Sequence, residues 1–165
     1  MKSKDIAQSG ILIALTLAIL FAASLIPINT LSILAIASCL VPIAIIRTSI
    51  KYGVLVYLCS SILSFLFIPL NIALMYSMFF GVYGIIKFFI EKINNLSYEI
   101  LLKLITFNCI LFAAYFLFKL FITDFNIKLP IWIIILICQF AFLIYDYALT
   151  IVISYFLNRI NSHIK

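Results

Sequence analysis

Asp146 sits inside an apolar run, ILICQFAFLIYDYALTIVIS, where a carboxylate is out of place. A carboxylate there can hold a proton, pair with a cation or anchor a hydrogen-bond network. Each role needs partners, because an ionised group in an apolar interior is costly when left alone. Spacings of seven and four residues put Gln139, Asp146, Thr150 and Ser154 on one helical face. The candidate cations for Asp146 are Lys87, Lys103 and Arg47, at the ends of other apolar runs. Three roles stay open: a structural ion pair with its hydrogen bonds, a proton or cation relay, and coupling to a partner.

A second group of polar residues lies elsewhere. Asn108, Tyr115 and Lys119 share a helical face, and Asn108 is also expected to join Asp146 and Thr150 in a polar network within the membrane. Asn29 and Asn71 stand near the ends of apolar runs, and Tyr76 is one turn deeper than Asn71. With Gln139, these residues are candidates to line a pocket in which Lys119 meets an anionic group. The competing reading is interfacial anchoring, a common use of Tyr and Lys at a lipid–water boundary. Nothing points to an enzyme. The one histidine, His163, belongs to a polar tail, and no carboxylate pair is spaced for acid–base work within a run. Cys39, Cys59, Cys109 and Cys138 are isolated in apolar runs and read as packing residues, so no metal site and no cofactor are expected.

The elements that position these groups follow from composition. Of 165 residues, 67% are hydrophobic and 10% charged, with mean hydropathy +1.34. Soluble domains are about 25% charged, and no soluble fold of this length hides so much apolar surface. The chain therefore reads as an all-α integral membrane protein, one transmembrane domain over 1–165. Crossing the hydrocarbon core takes about 20 apolar residues. Six runs qualify: about 10–27, 30–46, 52–68, 70–90, 99–121 and 131–156. Pro27, Pro42, Pro69 and Pro130 mark ends or bends. No GxxxxGK[ST] loop is present, so ATP-driven work would need another chain.

Charge gives an orientation. Lys2, Lys4, Arg47, Lys51, Lys87, Lys92, Lys103, Arg159 and Lys165 fall on one side of a six-span bundle. Only Lys119 and Lys128 fall on the other. The positive-inside rule then places both termini in the cytoplasm of a multi-pass protein, expected in a bacterial plasma membrane. The net charge of +6 is read as topology rather than nucleic-acid binding. A signal peptide ending near Ala22, Ala23 and Ser24 competes for the first run, which is long for that purpose.

The first span carries a stripe of small residues, Gly10, Ala14, Ala18 and Ala22. Such stripes let helices in lipid approach closely, since packing rather than hydrophobicity drives their association. The stripe serves either packing within the bundle or docking of another membrane subunit. A shorter version, Ser77, Gly81 and Gly84, is assigned to internal packing.

Size, six spans and Ala14-xxx-Ala18 together resemble the S component of energy-coupling factor (ECF) transporters. The passages LVPIAIIRTSIKYGVLV and IPLNIALMYSMFFGVYGIIKFFIEK are similar to S-component-like membrane proteins of that superfamily. The resemblance implies the substrate-binding subunit of a vitamin or micronutrient importer. It also implies association with a transmembrane T component and two cytoplasmic ATPases. Docking would fall to Ala14 and Ala18, extended by Gly10 and Ala22. Two features depart from the family pattern: the first connection, IPINT, is very short, and no signature names a vitamin. The rival readings are a stand-alone small-solute or proton-linked carrier using Asp146, and a structural membrane protein without a ligand.

Overall fold

A computed structural model describes residues 3–93, 95–121 and 131–162. Lys2, Lys128, Pro130, His163 and Lys165 lie outside the described residues, as do the side chains of Tyr115, Lys119 and Arg159. The described chain is almost entirely helical, with no strand among the described residues.

Helix α1 (Ser3–Leu25) is followed by a 3-10 turn at Pro27–Asn29. Then come α2 (Thr30–Arg47) and α3 (Ile50–Phe67). The next span is built in three pieces: α4 (Leu70–Met75), a π-helical turn (Tyr76–Phe80) and α5 (Gly81–Ile90). A 3-10 turn at Glu91–Ile93 leads on to α6 (Leu96–Phe121), and α7 (Ile131–Ser162) closes the chain. Five stretches are long and apolar enough to cross a membrane: Ser3–Leu25, Thr30–Arg47, Ile50–Phe67, Leu70–Ile93 and Ile135–Phe156. Helix α6 has 26 residues, and at about 1.5 Å per residue it also exceeds the hydrocarbon thickness. The helices overrun the apolar runs at several ends; α1 begins at Ser3 and not near residue 10.

The prolines act differently from one another. Pro27 opens the 3-10 turn and Pro69 caps α4, both at boundaries. Pro42 ends nothing: it lies buried inside α2, which runs on to Arg47. Its ring packs against Gly84, where a β-carbon would stand 2.9 Å from Pro42 Cδ. The other glycine of that pair is as tightly held. A β-carbon on Gly81 would meet the Tyr57 ring at 2.7 Å. The π turn leaves the Ser77 carbonyl to accept a hydrogen bond from the Tyr57 hydroxyl at 2.8 Å.

Helices α1, α2 and α3 pack on one another, and α2 also packs on α5 and α7. Leu20, Leu34, Ile72, Tyr76 and Phe80 form one buried cluster; Leu12, Leu40, Ile43 and Val56 form another. The outside of the bundle is strongly apolar: Ile11, Leu66, Phe112 and Trp132 are each more than two-thirds exposed. Water tolerates no such continuous surface, whereas hydrocarbon requires it. The chain is thus compatible with a multi-pass membrane protein.

Candidate functional site

Three layers stack along the bundle between α2, α5, α6 and α7. The first is a cluster of charge. Lys87 of α5, wholly buried, is hydrogen-bonded to the Asp146 carboxylate. The same ammonium donates to the Asp146 carbonyl at 3.1 Å and to Thr150 Oγ1 at 2.7 Å. It also lies 3.0 Å from Glu91. Lys103 of α6 approaches the other Asp146 oxygen, Oδ2, at 3.0 Å, Glu99 at 2.6 Å and Glu91 at 3.4 Å. Tyr83 donates its hydroxyl to Asp146 Oδ1 at 2.6 Å.

Asp146 therefore has an ammonium on each oxygen and a phenol besides. That is the kind of arrangement a buried carboxylate needs, with its charge opposed and both oxygens accepting hydrogen bonds. Three carboxylates face two ammoniums. Thr150 joins through Lys87, as its place one turn from Asp146 allows. Arg47 goes elsewhere, with its guanidinium 5.7 Å above the Phe156 ring. Asn108 also stands apart from this cluster. It accepts from Gln139 Nε2 at 2.9 Å and donates to the Leu104 carbonyl.

The second layer is aromatic. Phe107 and Phe142 stack with centroids 4.2 Å apart. Tyr83 meets Phe142 edge-on at 5.2 Å, and Phe79 contacts Phe107 and Tyr145 at 5.7 Å each. Tyr145 donates its hydroxyl to Ser38 of α2 at 2.8 Å. The Tyr83 hydroxyl ties this layer to the charge cluster.

The third layer is a cavity of about 890 Å³. Its floor is the aromatic layer, with Phe79, Phe107, Phe142 and Tyr145 all lining it. Leu31, Ser32, Ala35 and Ile36 of α2 form one wall, and residues from Cys138 to Ala148 of α7 form another. The π turn supplies a third wall and sets Phe79 and Phe80 on the same side as Met75 and Met78. Helices α2 and α7 meet at the Ser38–Tyr145 hydrogen bond, and the cavity lies on the N-terminal side of Ser38 along α2, with Tyr145 in its lining. Among the described residues no charged group lines it.

The pocket residues expected from sequence divide. Asn71 lines the cavity. Tyr76 does not: it is wholly buried in the core, sharing a 2.9 Å hydrogen bond with Ser60 of α3. Gln139 is spent on Asn108, and Asn29 is exposed in the turn before α2. Tyr115 and Lys119 lie on the backbone of α6, their side chains outside the described residues. Tyr83, Glu91, Glu99 and the four floor aromatics were not anticipated. A signal for some existed, since Tyr83, Lys87 and Glu91 recur every four residues, as do Glu99 and Lys103.

The small-residue stripe is the other candidate surface. The inner face of α1 carries Leu12, Thr16, Leu20 and Ala23. The stripe is displaced from it by about two residues, or about 200° of helix. Ala14 and Ala18 are accordingly exposed and Ala22 half-buried. Nothing lies within 4 Å of where a Gly10 β-carbon would stand. Comparison with family models, with curated proteins and with solved structures finds no match.

Proposed function

We propose that this chain is a membrane-embedded, substrate-binding subunit of an ECF-type importer, docking to a T component through α1. Six helices cross the bilayer in this reading: α1, α2, α3, the α4–π–α5 unit, α6 and α7. Both termini face the cytoplasm. The cluster around Asp146 lies toward that side and the cavity toward the other. Two cytoplasmic ATPases supply the energy, and the substrate is a small molecule of the vitamin or micronutrient class.

The observation that carries the reading is the outward aim of the α1 stripe. Small residues kept for packing inside the bundle would face α2 and α3. Here they face away, leaving a narrow smooth surface that a neighbouring helix can approach closely. The cavity supports the ligand-binding half of the proposal, being within the size range of small-molecule sites. The stand-alone, proton-linked reading has less support. A relay needs a carboxylate free to exchange its proton, and Asp146 has both oxygens occupied.

The test is co-purification of the tagged chain with its host's T component and both ATPases. A four-part complex, lost on combining Ala14→Trp with Ala18→Trp while the chain stays monodisperse, is the expected result. Well-folded chain that retains none of the three partners sinks the proposal.

A further inference from the structure

The cavity has a property that narrows its ligand. We propose that it binds a neutral, ring-bearing lipophile that enters sideways from the bilayer. This rests on the chain being a ligand-binding subunit, and it names the class of ligand.

Three observations converge. Among the described residues the lining holds no charged side chain, and its polar groups are few. Asn71 and Ser32 are both exposed, on the rim, and Tyr145 has its hydroxyl committed to Ser38. A charged or strongly hydrophilic solute would leave water here without enough replacement partners and is disfavoured.

The floor is made of ring faces and edges. Phe79, Phe107, Phe142 and Tyr145 offer both stacking and edge-on contacts to a flat ring. Met75 and Met78 add side chains that adapt to irregular shapes. The charge cluster is no alternative anchor, because the aromatic layer and the Tyr83 ring stand between it and the cavity.

The mouth is lateral. Ile36 on α2 and Ile144 on α7 line the cavity and are 58% and 57% exposed, so the cavity is open beside these two apolar side chains. Both lie well inside their helices, at a depth where the surroundings in the proposed orientation are hydrocarbon. In this proposal the way in lies between α2 and α7, beside the Ser38–Tyr145 contact, where Ile36 and Ile144 are its apolar lips. A lipophile dissolved in the bilayer reaches the floor through it without crossing water. Asn71, an exposed lining residue, offers an amide to one hydrogen-bonding group of the ligand.

The test uses a matched pair of fluorescent probes, N-phenyl-1-naphthylamine and its sulfonate, 1-anilinonaphthalene-8-sulfonate. They share a ring skeleton and differ by one negative charge. The full chain is titrated in nanodiscs of phosphatidylethanolamine and phosphatidylglycerol, with empty nanodiscs as the baseline. Saturable, one-to-one binding of the neutral probe is expected, about tenfold or more tighter than the sulfonate. Ala141→Trp, which fills the cleft from an exposed position on α7, should weaken the neutral probe by about tenfold. The probe comparison on the unaltered chain needs no variant, so a misfolded Ala141→Trp leaves the question decidable. Equal or tighter binding of the sulfonate overturns the proposal. So does neutral-probe uptake no greater than in empty nanodiscs, the outcome expected if bilayer lipid fills the cleft. Neither result touches docking through α1, which co-purification reads separately.

Discussion

The Lys103 ammonium on α6 stands 3.0 Å from Oδ2 of Asp146 on α7, while Lys87 on α5 holds the opposite oxygen of the same carboxylate. One aspartate thus ties three helices together. Helices α6 and α7 meet mainly through long side chains, here and at the Phe107–Phe142 stack. The clamp is accordingly placed where, among the described residues, the backbones of α6 and α7 make few close approaches.

Losing either side of this clamp should not cost the same. Lys87→Met leaves three carboxylates facing one ammonium in a buried site. Removing one partner of a buried ion pair typically costs roughly 3–5 kcal/mol, and the expected loss lies in that range. Asp146→Asn leaves Lys87 and Lys103 with Glu91 and Glu99, a balanced set, and should cost less. Thermal unfolding of the purified variants in one detergent orders them. A midpoint for Asp146→Asn at or below that of Lys87→Met contradicts this account of the charge balance.

The glycines make a sharper contrast. Gly84→Ala forces a β-carbon to 2.9 Å from the Pro42 ring, which is fixed inside α2 and cannot swing aside. Overpacking of that kind costs about 1–3 kcal/mol. Gly10→Ala meets nothing within 4 Å and replaces the poorer helix former, a gain of about 0.5–1 kcal/mol. The two alanine variants should therefore shift the unfolding midpoint in opposite directions. A midpoint for Gly84→Ala no lower than for the unaltered chain would show that α2 and α5 are not in this close register.

Topology is open to direct labelling. On a background with the four native cysteines replaced by alanine, Ile28→Cys and Tyr98→Cys are placed at opposite ends of the bundle. Both positions are well exposed, at 90% and 63%. A membrane-impermeant maleimide added to intact cells should label residue 28 alone. Residue 98 should react only after permeabilisation, because the basic flanks hold that end inside. Labelling of residue 98 in intact cells reverses the orientation.

Much of this architecture is legible in the chain because lipid demands long apolar runs, and such runs survive any error about packing. The outward stripe of α1 was visible as a spacing of four, although spacing could not say which way it faced. Asp146 stands out by chemistry, and of its three candidate partners Lys87 and Lys103 engage it while Arg47 does not. The cavity was not legible. Its floor is phenylalanine and tyrosine, residues that look the same in sequence whether they face lipid, core or ligand. The π turn escaped for a related reason. Its residues are hydrogen-bonded to Tyr57 and Ser60 of α3, tertiary contacts that a helical periodicity does not record.

The two buried tyrosines of the α4–π–α5 unit supply the last contrast. Tyr83 donates to an ionised carboxylate at 2.6 Å, while Tyr76 shares its hydrogen bond with the neutral Ser60 hydroxyl at 2.9 Å. Hydrogen bonds to charged groups contribute roughly 1.5–3 kcal/mol, against about 0.5–1.5 kcal/mol for neutral pairs. Phenylalanine at either site keeps the ring and removes only the hydroxyl. Tyr83→Phe should thus lower the unfolding midpoint more than Tyr76→Phe, and combining it with Asp146→Asn should cost less than the sum. Strict additivity of Tyr83→Phe and Asp146→Asn would mean that the hydroxyl and the carboxylate do not act as one unit. The Tyr83 hydroxyl would then not couple the aromatic layer to the charge cluster.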